Sequence, residues 1–192
     1  MKRLRFAASL LVVATTLSAC GAKSPEAATT ESPIHPVASI LDLMLGQVDP
    51  AADFLWESVA TISTLEGTEE LRPRTDEEWL ALRMRALQLA EAANLLMTPG
   101  RRVAHEGQHL DDEGTPGNLT PEQAQVALDA NHDLFIAYAA ALRGTAVRTI
   151  EAIDKRDIDL YLEVGGQIDE ACEQCHAKFW YPGAAPPPMA MR

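Results

Sequence analysis

Five consecutive residues near the C-terminus, Cys172-Glu173-Gln174-Cys175-His176, form the most specific chemical pattern in this chain of 192 residues. On a helix, residues three and four apart share a face. Both thiols of a Cys-x-x-Cys-His segment can then reach the two vinyl groups along one edge of a haem, while the histidine reaches the iron. The expectation is a covalent haem c, carried by thioethers at Cys172 and Cys175, with His176 as the proximal iron ligand. Three other uses of a close cysteine pair weigh less. A redox dithiol belongs in a βαβ setting, at the start of a helix. A zinc site needs four ligands, and no further cysteine is at hand. A disulfide across so short a loop would be strained.

A second segment has the residue types for chemistry. His105-Glu106-Gly107-Gln108-His109 matches the H-E-x-x-H pattern of zinc peptidases. That chemistry needs both histidines on one face of a stable helix, the glutamate as base and a third ligand, for which Asp111, Asp112 or Glu113 could serve. The setting argues for a solvated loop instead. Pro99-Gly100 precede the segment, Gly107 lies inside it, and Gly114, Pro116 and Gly117 follow. His132 reads as a surface or boundary residue and His35, before Pro36, as structural. The pairs Glu69-Glu70 and Glu77-Glu78 read as solvated charge at a helix start. No substrate turnover is expected, and no catalytic residue is assigned.

The elements that must position these residues are predicted to be helices, with no convincing strand. The first covers about residues 36–65, with Ile40, Leu41, Met44, Leu45 and Val48 at helical spacing. Asp49-Pro50 is expected to interrupt it as an N-cap and first helical position, after which Phe54, Leu55, Val59 and Ile62 continue the apolar stripe, so the segment is either one kinked helix or two stacked pieces. A capping box of Thr75 and Glu78 opens the second helix, which Thr98-Pro99-Gly100 stops. The third runs from Thr120-Pro121-Glu122-Gln123 to about Lys155, locally weakened by Gly144. Asp157 caps the fourth, which carries the two cysteines and ends at Pro182. The predicted fold class is all-α, an antiparallel four-helix bundle over residues 36–181 with a C-terminal haem-attachment motif.

The ends of the chain read differently. Lys2, Arg3 and Arg5 precede an apolar run from Phe6 to Leu17, then Leu17-Ser18-Ala19-Cys20. The run is short for a membrane span, which needs about 20 residues, and has the layout of a secretory signal peptide over 1–19. Cys20 directly after small residues fits a lipobox, so lipidation at Cys20 is expected. Residues 20–35 read as a flexible, lipid-anchored tether and 182–192 as a loose Pro-rich tail. The chain would then face the periplasm from a bacterial cell-envelope membrane.

With this architecture the chain resembles the class II c-type cytochromes, the cytochrome c′ family. The resemblance rests on the helical bundle, the haem segment at the end of the last helix, and the aromatics that follow it in Cys172-Glu173-Gln174-Cys175-His176-Ala177-Lys178-Phe179-Trp180. It covers roughly residues 36–181, and only the haem segment is specific. It implies thioethers at Cys172 and Cys175 and a proximal His176. One departure is that Trp180 stands where family members often have a basic residue, four after the histidine. The resemblance also implies that the first helix covers the distal face. A methionine there gives a low-spin electron carrier, and an apolar residue a five-coordinate protein that binds nitric oxide or carbon monoxide. Met44 is the expected distal iron ligand and Met97, ending the second helix, the runner-up. The simpler role for Met44 is to fill core space. A homodimer through the first two helices is a further implication.

The formal charge is −12, and loss of Lys2, Arg3 and Arg5 with the leader takes it to −15. Such a surface repels phosphate backbones, which excludes nucleic acid as the natural partner. It favours a redox partner protein with a basic docking patch. Electron transfer in the cell envelope is the function expected, gas binding the alternative and zinc peptidase activity a remote one.

Overall fold

The computed structural model describes residues 34–65 and 67–183. Contacts divide the chain into 1–33 and 34–192, and the described residues belong to the second unit. The expected leader, Cys20 with its lipid, nearly all of the tether and most of the Pro-rich tail lie outside the described residues. Among the described residues no helix is long and apolar enough to cross a membrane.

The chain enters its first helical run through a capping box. The Asp42 N–H donates to Ser39 Oγ at 3.0 Å and the Ser39 N–H to Asp42 Oδ2 at 2.8 Å. These bonds satisfy two of the orphan donors of a helix start. Helix α1 spans Ile40–Leu43, a π turn spans Met44–Val48, and α2 spans Asp49–Glu57, without a gap. Of the two forms expected around Asp49-Pro50, the single continuous run is the one that forms; Asp49 is itself helical, at φ −58° and ψ −53°, and is not an N-cap. Proline inside a helix lacks the N–H and its ring clashes with the carbonyl four residues back, here that of Gly46. The chain meets this by widening the turn just before Pro50: the Asp49 N–H donates to the Met44 carbonyl, five residues back.

The helical stripe expected to continue to residue 65 is also corrected. After Ser58 the chain forms an antiparallel hairpin of β1, Ala60–Thr64, and β2, Gly67–Leu71, paired from Ala60 with Leu71 to Thr64 with Gly67. Thr61, Ile62 and Thr64 are β-branched and stiff in a helix, and Gly67 takes φ of 145°, open to glycine alone. Ile62 is exposed, so it never joined the stripe.

Helix α3, Asp76–Leu96, begins at the expected box of Thr75 and Glu78. It buries Trp79, Leu82, Ala86, Leu89, Ala90, Ala93 and Leu96 at steps of three and four. The predicted third helix is two: α4, Pro121–Ala130, and α5, His132–Lys155. Asn131 separates them with φ −134° and ψ 37°, and its side-chain amide donates to the Ala127 carbonyl at 2.8 Å. Asparagine competes with the helix for backbone partners in this way. Gly144 causes no break. Helix α6, Ile158–Phe179, starts where Asp157 accepts from the Leu160 N–H at 3.0 Å.

The protein is thus mostly helical, with one small sheet among the described residues. Helix α3 lies along α5, α5 along α6, and the π turn and α2 against α3. Fully buried Ala86, Ala93, Ala146 and Ala152 let these helices approach closely. Two apolar clusters fill the interior. One gathers Leu55, Leu82, Leu89, Val164 and Ile168; the other gathers Ile40, Leu96, Leu128, Phe135 and Phe179. Burying each of these large side chains stabilises the fold by about 1.5–3 kcal/mol. Met44 packs against both clusters, Cys172 against the first and Cys175 against the second.

Candidate haem site

Where the two clusters meet, the helices leave a cleft of about 290 Å³. Small-molecule sites start at about 300 Å³. The first helical run supplies one wall, including Leu41, Met44, Leu45 and Val48. Helix α6 supplies another with Cys172, Cys175, His176 and Phe179, and Phe135 closes the floor from α5. Val103, Leu110 and Asp111 come from the loop between α3 and α4. The lining is largely apolar, with the carboxylates Asp49, Asp111, Asp169 and Glu173 among it and no lysine or arginine.

Helical spacing in α6 explains why its three chemically potent residues share this cleft. Cys172, Cys175 and His176 lie at positions i, i+3 and i+4 and are all half-buried. Neither cysteine is in a disulfide. Burial pushes the Cys172 thiol up to about 11, helped by the negative charges of Asp169, Asp49 and Glu173. Burial pushes Cys175 up to about 12, with Cys172 adding to it. Both are neutral thiols at pH 7, unlike the low-pKa thiolates of redox dithiols. Burial also pulls the His176 pKa down, against the opposing pull of Glu173 and Asp49. The neutral imidazole that results is the form that binds a metal.

Aromatic rings surround the imidazole. Trp180 meets His176 edge to face at 5.0 Å between ring centroids, and Tyr181 does so at 6.0 Å. The Tyr181 hydroxyl donates to Glu173 Oε2 at 2.6 Å. Phe179, in the same lining, packs edge-on to Phe135 at 5.6 Å. The residue types fit a covalently held haem: two thiols outside any disulfide, one helical turn apart, and a histidine beside them line one largely apolar cleft.

Met44, from a separate helix, lines that same cleft and is half-buried. Met97 caps the end of α3, packs in the second cluster and is absent from the lining. His132 is exposed at the start of α5, and His35 is exposed ahead of α1.

The H-E-x-x-H segment is not helical. Gly107 takes φ of 80° in the middle of it, and the segment is a turn. His105 Nε2 pairs with Asp42 Oδ2 at 3.0 Å, while His109 Nδ1 pairs with Glu113 Oε2 at 2.9 Å. Glu106 is exposed. Among the described residues no three His, Cys, Asp or Glu side chains gather as a metal site. The segment instead ties its loop to the first helix. Gln108 donates to Asp42 Oδ1 at 2.7 Å, and its own Oε1 accepts from the His105 N–H at 2.6 Å.

Several lining residues escaped the sequence reading. Leu110 and Val103 come from a loop without periodicity, which gives no pattern to follow. Asp169 lies three before Cys172 and was open to the helical-face rule. Asp49 lies five after Met44, a spacing that shares a face only across a π turn. The chain matches no family model, no curated protein and no solved structure.

Proposed function

We propose that the chain is a c-type haem protein of the four-helix-bundle class, carrying electrons in the bacterial cell envelope. Within that class its layout resembles that of the cytochrome c′ family. One observation carries the reading: Cys172, Cys175 and His176 open on the same apolar cleft as Met44. Cys172 and Cys175 would hold the haem through thioethers, and His176 would present a ring nitrogen to the iron. Met44, on the facing wall, would offer a thioether sulfur as a second iron ligand. A bound haem would supply a one-electron Fe(III)/Fe(II) couple. Leu41, Leu45, Val48 and Phe135 would surround it with apolar surface, and an apolar shell with a methionine ligand would raise the potential. In the cell, Cys20 carries the lipid, and a redox partner with a basic patch meets the acidic surface.

Five-coordinate gas binding is the competing reading, and Met44 separates the two. The test is the visible spectrum of the full chain, produced with haem-attachment machinery. A Soret band that stays with the polypeptide under denaturation is expected, as is a low-spin reduced spectrum. A high-spin spectrum that shifts with carbon monoxide favours gas binding, and absence of a Soret band removes both.

A further inference from the structure

A histidine that ligates a metal usually donates its second ring N–H to a carboxylate or carbonyl, which fixes the ring's orientation. Among the described residues neither ring nitrogen of His176 has such a partner; around it lie the more distant charges of Glu173 and Asp49 and two aromatic rings. Something else must hold the ring, and the end of α6 supplies it. Trp180 lies four residues after His176, and its N–H donates to the His176 carbonyl at 2.8 Å. The two rings stand at 85°, edge to face.

The indole is itself anchored. Its Nε1–H donates to the Asp111 carbonyl at 3.2 Å, and the Trp180 carbonyl accepts from the Leu119 N–H at 2.8 Å. The side chain and the backbone of Trp180 are thus both tied to the loop between α3 and α4. Tyr181, whose ring lies 5.2 Å from that of Trp180, braces the arrangement through its bond to Glu173.

We propose that Trp180 is the positioning residue of His176, fixing the plane of the imidazole by an edge-to-face contact where other sites use a hydrogen bond. The inference rests on the haem reading given above. It rests on the low-spin form of that reading and would have a spectroscopic consequence, because in low-spin ferric haem the plane of a ligating imidazole affects the splitting of the iron d orbitals. One plane of His176 would give one set of g-values; a ring free to take two planes would give two.

The test is electron paramagnetic resonance of the ferric, haem-loaded protein as wild type, Trp180→Ala, Trp180→Leu and Trp180→Phe. The wild type is expected to give one set of g-values. Trp180→Ala is expected to lose that single signal and give two or more sets, or a broad envelope. Trp180→Leu keeps apolar bulk but no aromatic edge, is expected to split likewise, and replaces the alanine variant should that one not fold. Trp180→Phe retains an edge and is expected to keep one set. A single unshifted signal in Trp180→Leu overturns the proposal, as does a Trp180→Phe spectrum split like that of Trp180→Leu. Wild-type protein without covalent haem overturns both the haem reading and this one. Haem-loaded variants with unchanged g-values overturn this one alone.

Discussion

Two regions of this chain carry residues with the types and spacing for metal chemistry, and they differ in what the backbone makes of them. In α6, Cys172, Cys175 and His176 sit on a regular helix that faces a cleft. Between α3 and α4, His105 and His109 sit in a turn, each paired with a different carboxylate, Asp42 and Glu113. A spacing of four converges side chains only where the backbone repeats every 3.6 residues. Gly107 at φ 80° breaks that repeat in the one place where the motif required it. The cleft is the second requirement, since a motif needs room in front of it for its ligand.

Replacing both members of each pair gives the sharpest contrast. Cys172→Ala with Cys175→Ala is expected to abolish covalent haem, read as loss of haem stain on a denaturing gel. His105→Ala with His109→Ala is expected to leave the stain intact and to change stability by no more than about 1 kcal/mol, since both ion pairs lie at the surface. Equal haem loss in both double variants would erase the distinction between the regions.

Met44→Ala has the next largest expected effect. If the proposed haem reading holds, it is expected to convert the iron from low-spin to high-spin and to admit carbon monoxide, because the iron would lose its methionine ligand. An unchanged spectrum would return Met44 to the role of core filler.

The smallest effect concerns the bond between the loop and the first helix. Hydrogen bonds from the Ser39 backbone, then from Gln108 and Ser39 side chains, hold the Asp42 carboxyl down to about 2, below its ordinary value of 3.8. A carboxylate whose pKa is lowered by folding stabilises the fold above its unfolded pKa, and that contribution fades as pH falls through the folded one. Thermal stability should therefore decline from about pH 4 toward about pH 2 more steeply in the wild type than in Asp42→Asn, followed by circular dichroism. Parallel curves would show that Asp42 contributes nothing to acid sensitivity.

The caps at Thr75, Thr120 and Asp157 were legible in the sequence because each has a local signature, and each stands where the signature put it. Cys172, Cys175 and His176 likewise lie on the one helix that their spacing called for. Three features were not legible. The hairpin at 60–71 was hidden because Val59 and Ile62 also satisfy a helical period. The split at Asn131 depends on one side chain's choice of the Ala127 carbonyl. The loop's place against the cleft depends on long-range bonds, such as that of Trp180 to Asp111, which no local pattern encodes.

The wide turn ahead of Pro50 has a consequence for the wall it belongs to. Ile40, Met44, Val48, Ala52 and Trp56 recur at every fourth residue, and all five line the cleft. At 3.6 residues per turn, each step of four overshoots a full circle by about 40°, so four steps rotate the row by about 160°. A uniform α-helix would carry Trp56 nearly to the side opposite Ile40. The Met44–Val48 turn holds more residues per circle and takes back part of that drift. It is a phase correction, inserted once, that lets a simple four-residue rhythm stay aimed at one target for the length of the helix.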